Sequence, residues 1–204
     1  MNIIPLLLFL FALFDAEEND MYEAIKRGNS EAYAVFFNRN YEALYRYLKN
    51  FGLAHAEVQD LVQHSFIYIW DHRQVIDSTR SLKAYLFKIG YSRMLNYMRD
   101  QKKINHPENL DFFQTLEDGS DKDFIDSTNL DKKINEKQQR QTKQAISDAI
   151  ESLAPKRQEA FRLCYLENFS YAEAAEIMGV SKKTVEHHMS LALADLREQL
   201  KKLI

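Results

Sequence analysis

Residues 170–185 constrain this chain more than any other stretch. Ser170 and Glu173 stand at the capping-box spacing, in which the serine hydroxyl and the glutamate carboxylate each satisfy an unpaired backbone donor at a helix start. Ala175 is small enough to let a second helix approach. Gly179, four residues on, can adopt the positive φ of a tight turn, and Val185 can insert between the two helices. Ser181 can cap the second helix, whose apolar stripe runs Val185, Met189, Ala192, Leu193, Leu196 and Leu200. Its opposite face carries Lys182, Lys183, Glu186, His187 and Ser190. A pair of antiparallel helices around a glycine turn occurs in many helical proteins. Here the small residue, the glycine and the valine are in register with a capping box, and that favours a helix-turn-helix built to place its second helix in a DNA major groove.

The chain of 204 residues has only five glycines and three prolines, and alternating β-branched runs are nearly absent, so it reads as all-α. With 46% apolar residues it can build real cores. A single cysteine, Cys164, lies within the apolar run Phe161, Leu163, Tyr165 and reads as a small core residue. The adjacent His187 and His188 point about 100° apart on a helix, whereas a helical metal pair needs a spacing of three or four. No phosphate-cradling glycine loop is present, nor a metal-spaced cysteine cluster.

A net charge of -3 looks unsuited to DNA until it is resolved along the chain. From Ser81 to Lys103 the cations Lys83, Lys88, Arg93, Arg99, Lys102 and Lys103 face Asp100 alone. Tyr85, Phe87, Tyr91 and Tyr97 interleave with them, a pattern that suits single-stranded DNA because cations track phosphates and rings stack on unpaired bases. Such rings taken alone are more often core. From His106 to Arg140 acids outnumber bases, apolar periodicity is weak and Pro107 and Gly119 intervene, which marks a linker.

Upstream, the spacing predicts three helices. Residues 29–51 place Tyr33, Phe37, Tyr41, Leu44, Tyr45, Leu48 and Phe51 on one stripe, with Asn29 or Ser30 as cap. After Gly52 a second helix carries Val58, Leu61, Val62, Phe66 and Ile69 inward. A third runs from Leu82 to about residue 103, with Leu86, Ile89, Leu95 and Met98 inward. Ile3 to Phe14 is apolar apart from Pro5 and is followed by acids. As a helix it would span about 18 Å against a hydrocarbon core of roughly 30 Å, and it lacks a basic flank and a cleavage site. Two readings stand for residues 1–20: a membrane attachment, or a stretch outside the working protein, with translation starting at Met21.

From Met21 to Leu200 the chain resembles RNA polymerase sigma factors of the extracytoplasmic-function (ECF) type. Gly28, Asn29, Ala32, Phe36, Phe37, Tyr41, Leu44 and Tyr45 look like the family's opening helix. Asp60, Leu61, Val62 and Gln63, then Phe66 and Trp70, look like its core-polymerase-binding helix. Tyr85, Leu86, Phe87, Ile89, Leu95, Tyr97 and Arg99 look like its promoter-melting helix. Leu153, Pro155, Arg157, Ala160 and Phe161 resemble the start of its second domain, and Thr184, Val185, Glu186, Ala192, Leu196 and Arg197 its recognition helix.

The resemblance implies two small helical domains joined by a flexible acidic linker: a region 2 domain over 21–104, a linker over 105–138, and a region 4 helix-turn-helix domain over 139–204. It implies core-polymerase contacts at Asp60, Gln63, Phe66 and Trp70. Tyr85, Lys88, Ser92, Asn96 and Arg99 would meet the melted -10 strand, and Ser181, Lys182, Lys183, Thr184, His187 and His188 the -35 duplex. The expected partners are core RNA polymerase, promoter DNA and an anti-sigma factor, often membrane-bound. No small-molecule substrate, cofactor or catalysis is implied, and the expected location is cytoplasmic. Gln59 and His64 replace acids usual in the core-binding motif, Ser92 a usual asparagine, and Leu191 a common cation; the pattern around Glu186 and His188 is most similar to Bacteroidetes-type members. The competing reading is a transcriptional regulator with a helical sensor or dimerisation domain. A more distant one is a membrane-tethered helical protein or an enzyme carrying an incidental helix-turn-helix.

Overall fold

The structure is a computed structural model that describes residues 20–77, 80–105 and 144–201. All regular structure among the described residues is helical, as expected, and the chain divides into two compact units. The expected linker and amino-terminal extension lie, apart from their end residues, outside the described residues, as do the side chains of Lys102 and Lys103.

The first unit holds α1 (20–26), α2 (Ser30–Lys49), α3 (His55–Asp71) and α4 (Leu82–Asn105). Asn29 caps α2 by accepting the Glu31 and Ala32 N–H groups at 2.9 and 3.0 Å. The core gathers Phe36, Leu44, Tyr47 and Leu48 of α2, Val58, Val62, Phe66 and Ile69 of α3, and Leu86, Phe87, Tyr91 and Met94 of α4. Gly90 sits where α2 crosses α4: a Cβ there would lie 2.9 Å from Leu44 Cδ1, so only a glycine permits this approach without repacking. α1 closes one end through buried Tyr22 and Ile25, and the Tyr22 hydroxyl donates to the Ile76 carbonyl.

Three expectations are corrected here. On α2, Tyr33, Phe37, Tyr41 and Tyr45 form a half-buried flank beside α3 instead of the core stripe, which is centred on Phe36, Asn40, Leu44, Tyr47 and Leu48. Phe51, expected on the same stripe, lies beyond the helix end and is also half-buried. On α4, Phe87 and Tyr91 are core and do not face solvent among the cations, Ile89 and Met98 are half-buried, and Leu95 is 39% exposed. On α3, Leu61 is half-buried while Ser65 is inside, its hydroxyl donating to the Leu61 carbonyl at 2.6 Å.

The second unit holds α5 (144–151), α6 (Pro155–Phe161), a π-helical turn over Arg162–Leu166, α7 (Tyr171–Met178) and α8 (Lys182–Lys201). Ala160, Leu163, Ala174, Ile177, Val185, Met189, Ala192 and Leu196 pack at its centre. Leu193, expected inward, is among the exposed side chains.

Candidate nucleic-acid interface

The helix-turn-helix forms for the reasons legible in its residues. Ser170 and Glu173 make the reciprocal capping box: Ser170 N–H donates to Glu173 Oε2 at 2.8 Å and Glu173 N–H to Ser170 Oγ at 3.3 Å. Gly179 closes α7 at φ 67°, and both Ala175 and Val185 are buried between the helices. Ser181 Oγ accepts the Thr184 N–H at 3.1 Å and lies 2.8 Å from Thr184 Oγ1. Of the residues expected to meet duplex DNA, Lys182, Lys183 and His187 are exposed at the start of α8, while Ser181 and Thr184 occupy the cap. Lys182 lies 3.8 Å from Glu186 one turn on.

His188 is placed differently. It is half-buried, and Nδ1 is shut away from solvent without a hydrogen-bond partner. Burial, then the charges of His187, Lys156 and Arg157, hold it below the usual imidazole range, with Glu159 opposing. It can therefore present at most one edge to DNA. Arg157 of α6 donates to Asp195 of α8 at 2.6 Å, Ser152 in the turn before α6 donates to Gln199 of α8 at 2.8 Å, and within α6 buried Glu159 accepts from Lys156 at 2.9 Å.

In the first unit the structure collects Tyr85, Lys88, Ser92, Asn96 and Arg99 along one solvent-facing side of α4, with Ser92, Asn96 and Arg99 exposed and the other two half-buried. Arg99 donates to Asn96 Oδ1 at 2.9 Å. Leu95 adds an apolar contact to this side. Arg93 is half-buried and its guanidinium lies 5.5 Å from the centre of the Tyr68 ring, itself stacked on His72 at 3.9 Å. Tyr68 also neighbours Tyr85, whose hydroxyl is pushed above its ordinary range first by burial and then by the nearby Tyr68 hydroxyl.

On α3, Asp60 and Gln63 are exposed, and His64 Nδ1–H donates to the Asp60 carbonyl at 2.8 Å. Phe66, expected to touch a partner, is 2% exposed: it lies 4.6 Å from Phe37 ring to ring and fills the core. Trp70 is half-buried between Tyr33 at 4.8 Å and the Arg73 guanidinium at 4.4 Å. Sequence reasoning missed Glu57, which joins α3 to α4: one carboxylate oxygen accepts the Ala54 N–H at 2.8 Å and the other the Tyr97 hydroxyl. Its local signal was the capping spacing from Ala54 to Glu57, while the long-range partner left none. Among the described residues no group of three potential metal ligands exists, and no helix is long and apolar enough to cross a membrane.

Two family profiles match, in order: sigma-70 region 2 over 36–104 and sigma-70 region 4 over 143–196. The RNA polymerase sigma factor CnrH of Cupriavidus metallidurans is 28% identical over 83% of this chain and 86% of its own length. The ECF RNA polymerase sigma factor SigM of Bacillus subtilis is 27% identical over 85% of this chain and 93% of its own length. Among solved structures, CnrH bound to the cytosolic domain of CnrY covers 91% of this chain and 97% of its own, at 23% identity and a TM-score of 0.56. The sigma factor RpoE bound to the anti-sigma factor NepR from Bartonella quintana covers 82% and 96%, at 23% identity and a TM-score of 0.59. These two share the fold.

Proposed function

The chain belongs to the sigma-70 family, in its ECF branch, and from that premise we propose how its two units divide promoter recognition. As a sigma factor it directs transcription initiation. The α3 side bearing Asp60 and Gln63 docks on basic and polar groups of a coiled coil in core RNA polymerase, with Trp70 at its margin and Phe66 holding the helix from beneath. The α4 side bearing Tyr85, Lys88, Ser92, Asn96 and Arg99 receives the opened -10 strand. The α8 start, with Lys182, Lys183 and His187 outermost, reads the -35 duplex, where Ser181, Thr184 and the accessible edge of His188 complete the contact.

The observation that carries this reading is the order of surfaces along the chain: an exposed acidic and polar side on α3, a mixed basic and aromatic side on α4, and a capped helix-turn-helix. A sensor domain has no need for the first two together. The protein makes and breaks no bonds, works in the cytoplasm and is held in check by an anti-sigma factor, the kind of partner with which the structural neighbour RpoE is seen. The residues around Glu186 and His188 support a Bacteroidetes-type lineage. Purified protein added to core polymerase should yield defined transcripts whose mapped starts share upstream and downstream elements. Specific DNA binding with no effect on core polymerase would sink this reading in favour of a regulator.

A further inference from the structure

Two tyrosines of α4 lie against α3, one towards each end of the antiparallel pair: Tyr85 neighbours Tyr68, and the Tyr97 hydroxyl donates to Glu57. Of the residues proposed to receive the opened strand, Tyr85, Lys88, Ser92 and Asn96 lie at or between these two positions along α4, and Arg99 lies two residues beyond Tyr97. The Tyr97–Glu57 bond is charge-assisted. Glu57 uses both carboxylate oxygens, one on the Ala54 N–H and one on Tyr97, and the Tyr97 hydroxyl in turn accepts from Gln101 Nε2–H at 2.8 Å. Glu57 and Tyr97 are half-buried, and Asp60, one turn further along α3, is exposed. A hydrogen bond at such a place is weakened by water and strengthens when a partner surface displaces that water.

We propose that Glu57 is a positioning residue, and that its bond to Tyr97 is the joint through which polymerase docking on α3 fixes the strand-receiving side of α4. This rests on the functional reading above. In the free protein the bond is solvated and contributes little. Once polymerase covers the Asp60 side of α3, the same bond is drier and stronger, so the stretch of α4 around Tyr97 is held more firmly within the holoenzyme. Strand opening is thereby favoured on polymerase and not before.

The test uses the full chain with Tyr97→Phe, Glu57→Gln and the double variant. The phenylalanine lacks the hydroxyl, and the amide that replaces the carboxylate in Glu57→Gln has a single acceptor oxygen with no net charge for the two donors that the carboxylate served. Three quantities are measured: core-polymerase affinity by competition, the thermal midpoint of the free chain, and the opening rate on a promoter fragment recovered by start mapping, read by permanganate reactivity of its thymines. Each single variant is expected to open about tenfold more slowly, with core affinity within about twofold, little change in midpoint, and a double variant no slower than either single. Multiplying defects in the double variant, or core affinity falling in step with opening, would overturn the coupling. A free-chain midpoint that falls as steeply as the opening rate would overturn it too. A wild-type chain inactive with core polymerase would instead remove the functional reading, and the coupling with it.

Discussion

Arg157 and Asp195 meet at 2.6 Å between α6 and α8, each side chain about one-third exposed. The pair fixes the recognition helix against the rest of its unit. Asp195→Asn should lower the stability of this unit by about 1 kcal/mol, since a charge-assisted bond with partial solvent access is weakened and not abolished. Thermal unfolding of the full chain checks this; an unchanged transition would show the pair to be incidental.

Acidification should loosen the same unit. His188 titrates below the ordinary imidazole range in the folded chain, because burial and the neighbouring His187, Lys156 and Arg157 disfavour its charged form. Above about pH 6.5 it is neutral in both states. As pH falls through that value the unfolded chain takes up a proton that the folded chain resists, so stability declines. His188→Gln should flatten this decline between neutral pH and about pH 5, and an identical slope in the variant would refute the assignment.

Gly90→Ala sets two effects against each other. A helical alanine gains up to about 1 kcal/mol over glycine, while the new Cβ meets Leu44 Cδ1 at 2.9 Å within a filled core, a crowding that costs about 1–3 kcal/mol. A net loss of about 1 kcal/mol is expected. Leu44→Val should cost less in the Gly90→Ala background than alone, which a double-mutant cycle in denaturant would reveal.

Exposed Asp60 and Gln63 can be replaced by alanine with stability changes within about 0.5 kcal/mol. Either replacement should weaken core-polymerase binding roughly tenfold or more while duplex binding by the full chain persists. Equal loss of both would point to unfolding.

Lys183→Ala should weaken duplex binding evenly across sequences and reduce the slope of log affinity against log salt by about 1. A sequence-selective loss with no change in slope would show that Lys183 reads bases instead.

The helix-turn-helix was legible because each of its positions has a private steric or hydrogen-bonding reason: Ser170 and Glu173 cap each other, Gly179 takes the left-handed turn, and Val185 fills the crossing. On α2 the reading slipped. Tyr33, Phe37, Tyr41 and Tyr45 recur every four residues and so drift about 40° per step around the helix, and the true centre of the core includes a polar residue. Asn40 is buried because its amide donates to the Phe36 carbonyl at 2.8 Å, a local solution that leaves no mark in an apolar pattern. On α4 the position of Gly90 settles which face is inner: with Leu44 pressed against it, Phe87 and Tyr91 must be core and Leu95 must face out. Spacing alone places Leu95 inward, and rings among cations look alike whether they pack inward or outward. The half-burial of His188 left no local mark for a similar reason, as its neighbours on α6 lie about thirty residues away in sequence.

The π-helical turn at Arg162–Leu166 follows buried Phe161 and carries exposed Tyr165 and Leu166 beside buried Leu163. This turn closes the helix that α6 begins, and it holds one residue more than an α-helical turn. Against a relative that ends this helix with an α-helical turn, an alignment drawn straight through it would pair side chains that point in different directions. For such a relative a single-residue gap belongs at the turn, placed by geometry and not by letter matching.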